Sequence, residues 1–156
     1  MPYAAKSPIP AEKTRAQIES VLKRSGADQI GSLLDGDAKA VTLFRIDNIC
    51  IRTTLYLPLI SDENIQFDRA GKKRTHAVAV SILEQTRRSH WRSWLLIIKA
   101  KLEAIEKGVS TTEREFYPDV VIPGTNVTMA EYIGPQLAQI RAGSAPSSLM
   151  LESKHG

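Results

Sequence analysis

Residues 87–108, RRSHWRSWLLIIKAKLEAIEKG, set three arginines and two tryptophans ahead of an apolar run. A guanidinium group binds phosphate oxygens and an indole can stack on a nucleobase, so the stretch carries the side chains of a nucleic-acid contact. Cationic charge is concentrated in this part of the chain. Between Arg69 and Lys101 nine basic residues stand against one acid, Glu84, a local charge of +8 in a chain whose net charge is +4. Such a segment attracts phosphate backbones or an acidic protein surface, and salt weakens the attraction.

The cations fall into three groups. Arg45 and Arg52 share one face of a strand pair with Tyr56, whose ring could stack on a base. Arg69, Lys72, Lys73 and Arg74 form the tip RAGKKR of a polar loop, and Arg88, Arg92 and Lys99 form the shoulder of a helix. These ten residues are the candidate nucleic-acid contacts. Trp91 and Trp94 belong first to a core stripe, because with Ile98, Leu102 and Ile105 they follow helical spacing. Arg87 falls inside the apolar sector of a straight helix, so either its head reaches solvent or the helix bends before Trp91.

Other chemistry is thinly represented. The single cysteine, Cys50, excludes an internal disulfide and any multi-cysteine metal site. His76, His90 and His155 lack metal-pair spacing, and neither a phosphate-binding P-loop nor a Gly-x-Ser-x-Gly turn occurs. Glu113, Glu115 and Asp119 are the one carboxylate group with a conceivable metal or acid–base role. Thr112 with Glu115, and Thr128 with Glu131, also match the capping-box spacing, which accounts for two acids locally. No catalytic residue, metal or cofactor is expected.

The positioning elements follow from punctuation and periodicity. Pro10 opens a helix to about residue 25 that Gly26 stops, with Ile18, Val21 and Leu22 on its inner side. DQIGSLL, KAVTLFRI and ICIRTTLYLPL form an antiparallel meander, turned at Asp35-Gly36-Asp37 and at Asp47-Asn48. A two-residue loop at Asp47-Asn48 pairs Ile46 with Ile49, Phe44 with Ile51 and Thr42 with Thr53 on the buried face. A long loop over 60–75 leads to helix from about His76 to Gly108, with a bend near Ser89-His90. DVVIPGTNV supplies a short strand and turn before a last helix over about 128–142, bent or interrupted at Gly134-Pro135. The expected fold class is α+β, one domain over residues 1–142 with an extended or flexible tail over 143–156. Leu149-Met150-Leu151 in that tail could dock on a partner or on the same fold.

The blocks RAQIESVLKRSGADQIG, RRSHWRSWLLIIKAKLEAIEKG and STTEREFYPDVVIPGTNVTMAEYIGPQL resemble a family of small uncharacterised proteins encoded by tailed bacteriophages and prophages. That resemblance implies expression in a bacterial cytoplasm and brings no assigned activity. The order helix, three strands, then a helix opening GKKRTHAVAV is also similar to that of double-stranded RNA-binding domains, although the chain continues well beyond them. The N-terminus MPYAAKSPIP has no apolar signal core and no run is long enough to span a bilayer, so no membrane partner is expected. The expected function is binding of nucleic acid, DNA ahead of RNA, without strong sequence specificity and with single strands included, in phage DNA metabolism. The alternative is a protein-interaction factor that modulates a host or phage protein. A small metal-dependent nuclease using the 113–119 acids is the third, and self-association is open to any of them.

Overall fold

The structure, a computed structural model, describes residues 11–143. Helix α1 (Ala11–Arg24) is followed by an antiparallel sheet of β1 (Asp28–Asp35), β2 (Lys39–Ile46) and β3 (Ile49–Tyr56), in the order β1-β2-β3. A short α2 (Glu63–Gln66) precedes the 31-residue α3 (His76–Glu106). Then come α4 (Thr112–Phe116), a 3-10 turn over Tyr117–Asp119, and α5 (Met129–Arg141). The fold is α+β, with α1 and α3 side by side on one face of the meander. Pro10 and the tail with Leu149, Met150 and Leu151 lie outside the described residues.

The second hairpin is the part of the fold most directly written in the chain. Asp47 and Asn48 take φ of 52° and 63°, the left-handed pair that a two-residue turn needs and that Asp and Asn tolerate. Their turn sets the register Ile46↔Ile49, Phe44↔Ile51, Thr42↔Thr53, as the spacing predicts. With a side-chain period of two, Ala40, Thr42, Phe44, Ile46, Ile51, Thr53 and Leu55 all point inward and are buried. They meet Ile18, Val21 and Leu22 of α1, Trp91, Leu95, Ile98 and Leu102 of α3, and Phe116. Phe44 and Phe116 pack edge to face, centroids 5.4 Å apart. Thr112 donates to the Asp47 carboxylate at 2.6 Å, which ties the turn to α4.

Helix α3, about 46 Å long at ~1.5 Å per residue, overhangs strands of eight residues. Its core residues therefore begin only at Trp91. The N-terminal half packs on the segment that carries α2, where Ile65 and Ala79 are buried. The helix is continuous through Ser89-His90, and Arg87 stays within it. Its guanidinium donates to the carbonyls of Pro58 at 3.0 Å and Asp37 at 3.1 Å, so the charged head finds backbone oxygens at the rim of the core.

Several expectations are corrected in detail. Trp94 and Ile105 are half-buried, and the fully buried stripe is Trp91, Leu95, Ile98 and Leu102, because the helix turns Leu95 toward α1 and the sheet. The cap of α4 is Thr111, which accepts from the Arg114 N–H, while Thr112 is turned inward to Asp47. The Thr128–Glu131 capping box forms as expected. Residues 60–75 hold α2 and an Phe67↔Lys73 bridge rather than a plain loop. Residues 120 and 121 form isolated bridges to Ile51 and Thr128 rather than a strand. Helix α5 runs on past Pro135.

Trp91 is 5% exposed, so Trp91→Ala removes a fully packed indole and should cost about 3–5 kcal/mol, measured by chemical denaturation. Trp94→Ala should cost less than Trp91→Ala. Equal losses would mean that the two rings share one environment.

Candidate nucleic-acid interface

Strand alternation decides the fate of the first cation group. Arg45, Arg52 and Tyr56 alternate with the buried residues of β2 and β3, so they project from the sheet face opposite α1 and α3. Arg45 donates from Nε and Nη2 to the two carboxylate oxygens of Asp28, both at 2.8 Å. This forked contact holds the Asp28 carboxyl below its ordinary pKa and raises that of the guanidinium. Arg52 donates to the side chain of Asn126 at 2.8 Å and to Glu131 at 2.7 Å, pinning the start of α5 to β3. Glu131 is held low mainly by the Thr128 N–H, with Arg52 adding to the effect. Tyr56 is 68% exposed at the end of the strand.

The loop group is divided. Arg74 points one nitrogen at the carbonyls of Asn64 (2.8 Å), Ile65 (3.1 Å) and Phe67 (2.9 Å), closing the C-terminal end of α2. Its role is local structure. Asp68 accepts from the N–H groups of Ala70 and Lys72, both at 2.9 Å, and Gly71 with φ of 81° completes the turn. That turn presents Arg69, Lys72 and Lys73 to solvent just before the Thr75 cap of α3.

The third group keeps its place on one element. Arg88, Arg92 and Lys99 are separated by four and seven residues, so they line one flank of α3 over about 17 Å. Arg92 and Lys99 are exposed and have no hydrogen-bond or ion-pair partner among the described residues. The only acid of α3 before Glu103 is Glu84, and Glu103 is paired with Lys107 at 2.7 Å. Helix α1 adds to this flank. Its Arg15 reaches the Ser32 carbonyl and its Glu19 accepts from the Ser32 hydroxyl, so one side faces β1. Helical spacing then places Lys13 and Arg24 on the other side. Neither was recognisable as part of a site from sequence, since α1 carries acids and bases in mixture.

The ten candidate residues are thus not one surface. Arg88, Arg92 and Lys99 stay together, Arg69, Lys72 and Lys73 lie at the N-terminal end of the same helix, and Arg45, Arg52 and Tyr56 are across the sheet. The carboxylates also spread apart: Glu113 is exposed, Glu115 half-buried, and Asp119 sits on the 3-10 turn. Among the described residues no group of three His, Cys, Asp or Glu is placed to hold a metal ion. No helix among them is long and apolar enough to cross a membrane. No protein-family model matches the chain, and no curated protein or solved structure matches it significantly.

Among the described residues Asp119 is the one acid with a raised pKa. Burial is the main cause, against which the Thr53 hydroxyl and the Lys101 ammonium pull the other way. The Thr53 oxygen, 1% exposed, closes no hydrogen bond of good geometry, so its contact with Asp119 is a loose one. Lys101 itself donates to the Glu115 carbonyl at 2.7 Å and lies 5.2 Å from the Phe116 ring centroid. With the folded pKa above the unfolded value, the ionised carboxylate costs stability at neutral pH and the cost fades as pH falls through the folded pKa. Asp119→Asn should therefore raise the melting temperature at pH 7, with the gain gone below about pH 4, the ordinary carboxylate range. A gain that persists unchanged in acid would show that ionisation is not its origin.

Proposed function

We propose that the protein binds nucleic acid through the phosphate backbone, along the α1–α3 flank. The observation that supports this most directly is the row Arg88, Arg92, Lys99 on one rigid helix, with Arg92 and Lys99 exposed and unpaired among the described residues. Of the other arginines nominated by sequence, Arg45, Arg52 and Arg74 are engaged within the fold and Arg69 is exposed at the loop tip. Long cations on a helix flank contact phosphate oxygens in register and carry no base code, so binding is independent of sequence. Lys72 and Lys73 extend the positive field beyond the start of the helix.

Base stacking has little support on this flank. Trp91 is buried, Trp94 is half-buried against the core, and Tyr56 lies on the far face of the sheet. Contact through the backbone, to DNA or to RNA, is what remains. The phage setting that the sequence resemblance implies would place the activity in DNA metabolism.

Binding of labelled DNA and RNA should weaken steeply with salt. Arg92→Ala with Lys99→Ala should lower affinity for all sequences alike and flatten the log–log salt slope by up to about two charge units. Tyr56→Ala should leave it unchanged. If well-folded protein binds neither polymer at low salt, the proposal fails and the protein-interaction alternative takes its place.

A further inference from the structure

Among the described residues, two apolar surfaces lack a covering layer. The first is the outer face of the sheet, where the positions alternating with the core are Leu33 on β1, Val41 and Leu43 on β2, and Thr54 and Tyr56 on β3. The pairings Leu33↔Val41 and Val41↔Thr54 bring these side chains side by side. Leu33 is 47% exposed, and Gly31 opposite Leu43 leaves the middle of the face open. The second is α5, in which no residue is buried. Met129, Ile133, Leu137 and Ile140 recur at helical spacing as one stripe, and its outer half, Leu137 and Ile140, is 45% and 51% exposed. Its main contact is with the 3-10 turn rather than with the sheet.

A helix stripe and a sheet face are each stable only when packed on another element. Within the described residues of one chain they do not pack together: Arg52 pins the start of α5 at the β3 edge, and from there the helix leans on the 3-10 turn and leaves Leu137 and Ile140 exposed. We infer that they meet between two copies, with α5 of each protomer lying across the outer sheet face of the other. Such a contact is isologous and closes both surfaces at once. Reciprocity forms two helix-on-sheet contacts, which helps so short a helix approach the roughly 1,000 Å² of a specific interface.

Charge selects this occupant over others. Each cation on the outer face already has an acid beside it: Lys39 with Asp35 at 3.9 Å, Arg45 with Asp28, and Arg52 with Glu131. The face is locally neutral, which offers little to a polyanion or an acidic protein. From Tyr132 to Ile140, α5 contains no charged residue. An uncharged apolar helix is what a neutral apolar face accepts without stranding a charge. The arrangement also leaves the α1–α3 flanks of both copies facing outward, and it stands whether or not those flanks bind nucleic acid.

The chain's single cysteine provides a reporter, because Cys50 is exposed on this outer face. Sedimentation of the full chain from low to high micromolar concentration should reach twice the 17.2 kDa of one chain. Leu137→Asp with Ile140→Asp on α5, and separately Leu33→Asp on the sheet face, should return the mass to one chain. All three residues are substantially exposed, so these variants keep the fold, which circular dichroism checks. Maleimide labelling of Cys50 should be slower in the wild-type dimer than in either variant. A single-chain mass throughout overturns the inference. So does a dimer that survives both sets of substitutions, or Cys50 labelled equally fast in all forms. Loss of α5 hydrogen-exchange protection in a monomer truncated after Gly143 would overturn it too, by showing that the chain's own C-terminal segment covers the stripe.

Discussion

The alternation of β2 and β3, locked by the two-residue turn at Asp47-Asn48, is the constraint on which the rest of the molecule depends. A slip of one residue would send Phe44, Ile46 and Ile51 to solvent and Arg45 and Arg52 into the core. Burying an unpaired guanidinium costs far more than any surface contact returns, so the register has no close competitor. From that register follow the faces on which α1 and α3 settle, the position of Phe116 over Phe44, and the outward direction of Arg45, Arg52 and Tyr56. The turn is held a second time by Thr112, which links the hairpin to the C-terminal third of the chain.

Arginine serves three physical ends here. Arg87 extends from the rim of the core to two carbonyls, and Arg74 gathers three carbonyls at the end of a helix too short to be stable by itself. Arg45 and Arg52 join segments distant in sequence through partly exposed pairs, which contribute modestly to stability but fix geometry. Arg92 and Lys99 do none of this. Their long side chains remain in water, where the entropy of ordering them is unpaid and available to be offset by a ligand.

The two sides of the sheet therefore have opposite electrostatic character. The helical side presents Arg92 and Lys99 without an ion-pair partner among the described residues, while on the outer side Lys39, Arg45 and Arg52 are each paired with an acid and Leu33 is exposed. A field of unpaired charge suits a partner that is itself charged, and a neutral apolar face suits one that is not. Nucleic acid and a second copy, as proposed, would thus meet separate surfaces of the molecule.

Sequence by itself determined the hairpin register, the extent of α1 and α3, the Thr128 cap and the concentration of charge between Arg69 and Lys101, because each arises from residues near one another in the chain. Periodicity also gave the direction of each side chain relative to its own backbone. It could not supply what lies in that direction. Asp28 meets Arg45 across 17 residues, and Asn126 and Glu131 meet Arg52 across 74 and 79. Only packing of the whole chain decides such meetings, so only the tertiary structure divides the nine candidate cations into those engaged within the fold and those that face solvent. The same reason governs Trp94 and Leu95: helical spacing defines a stripe, but which edge of it is buried depends on where α1 and the sheet lie against α3.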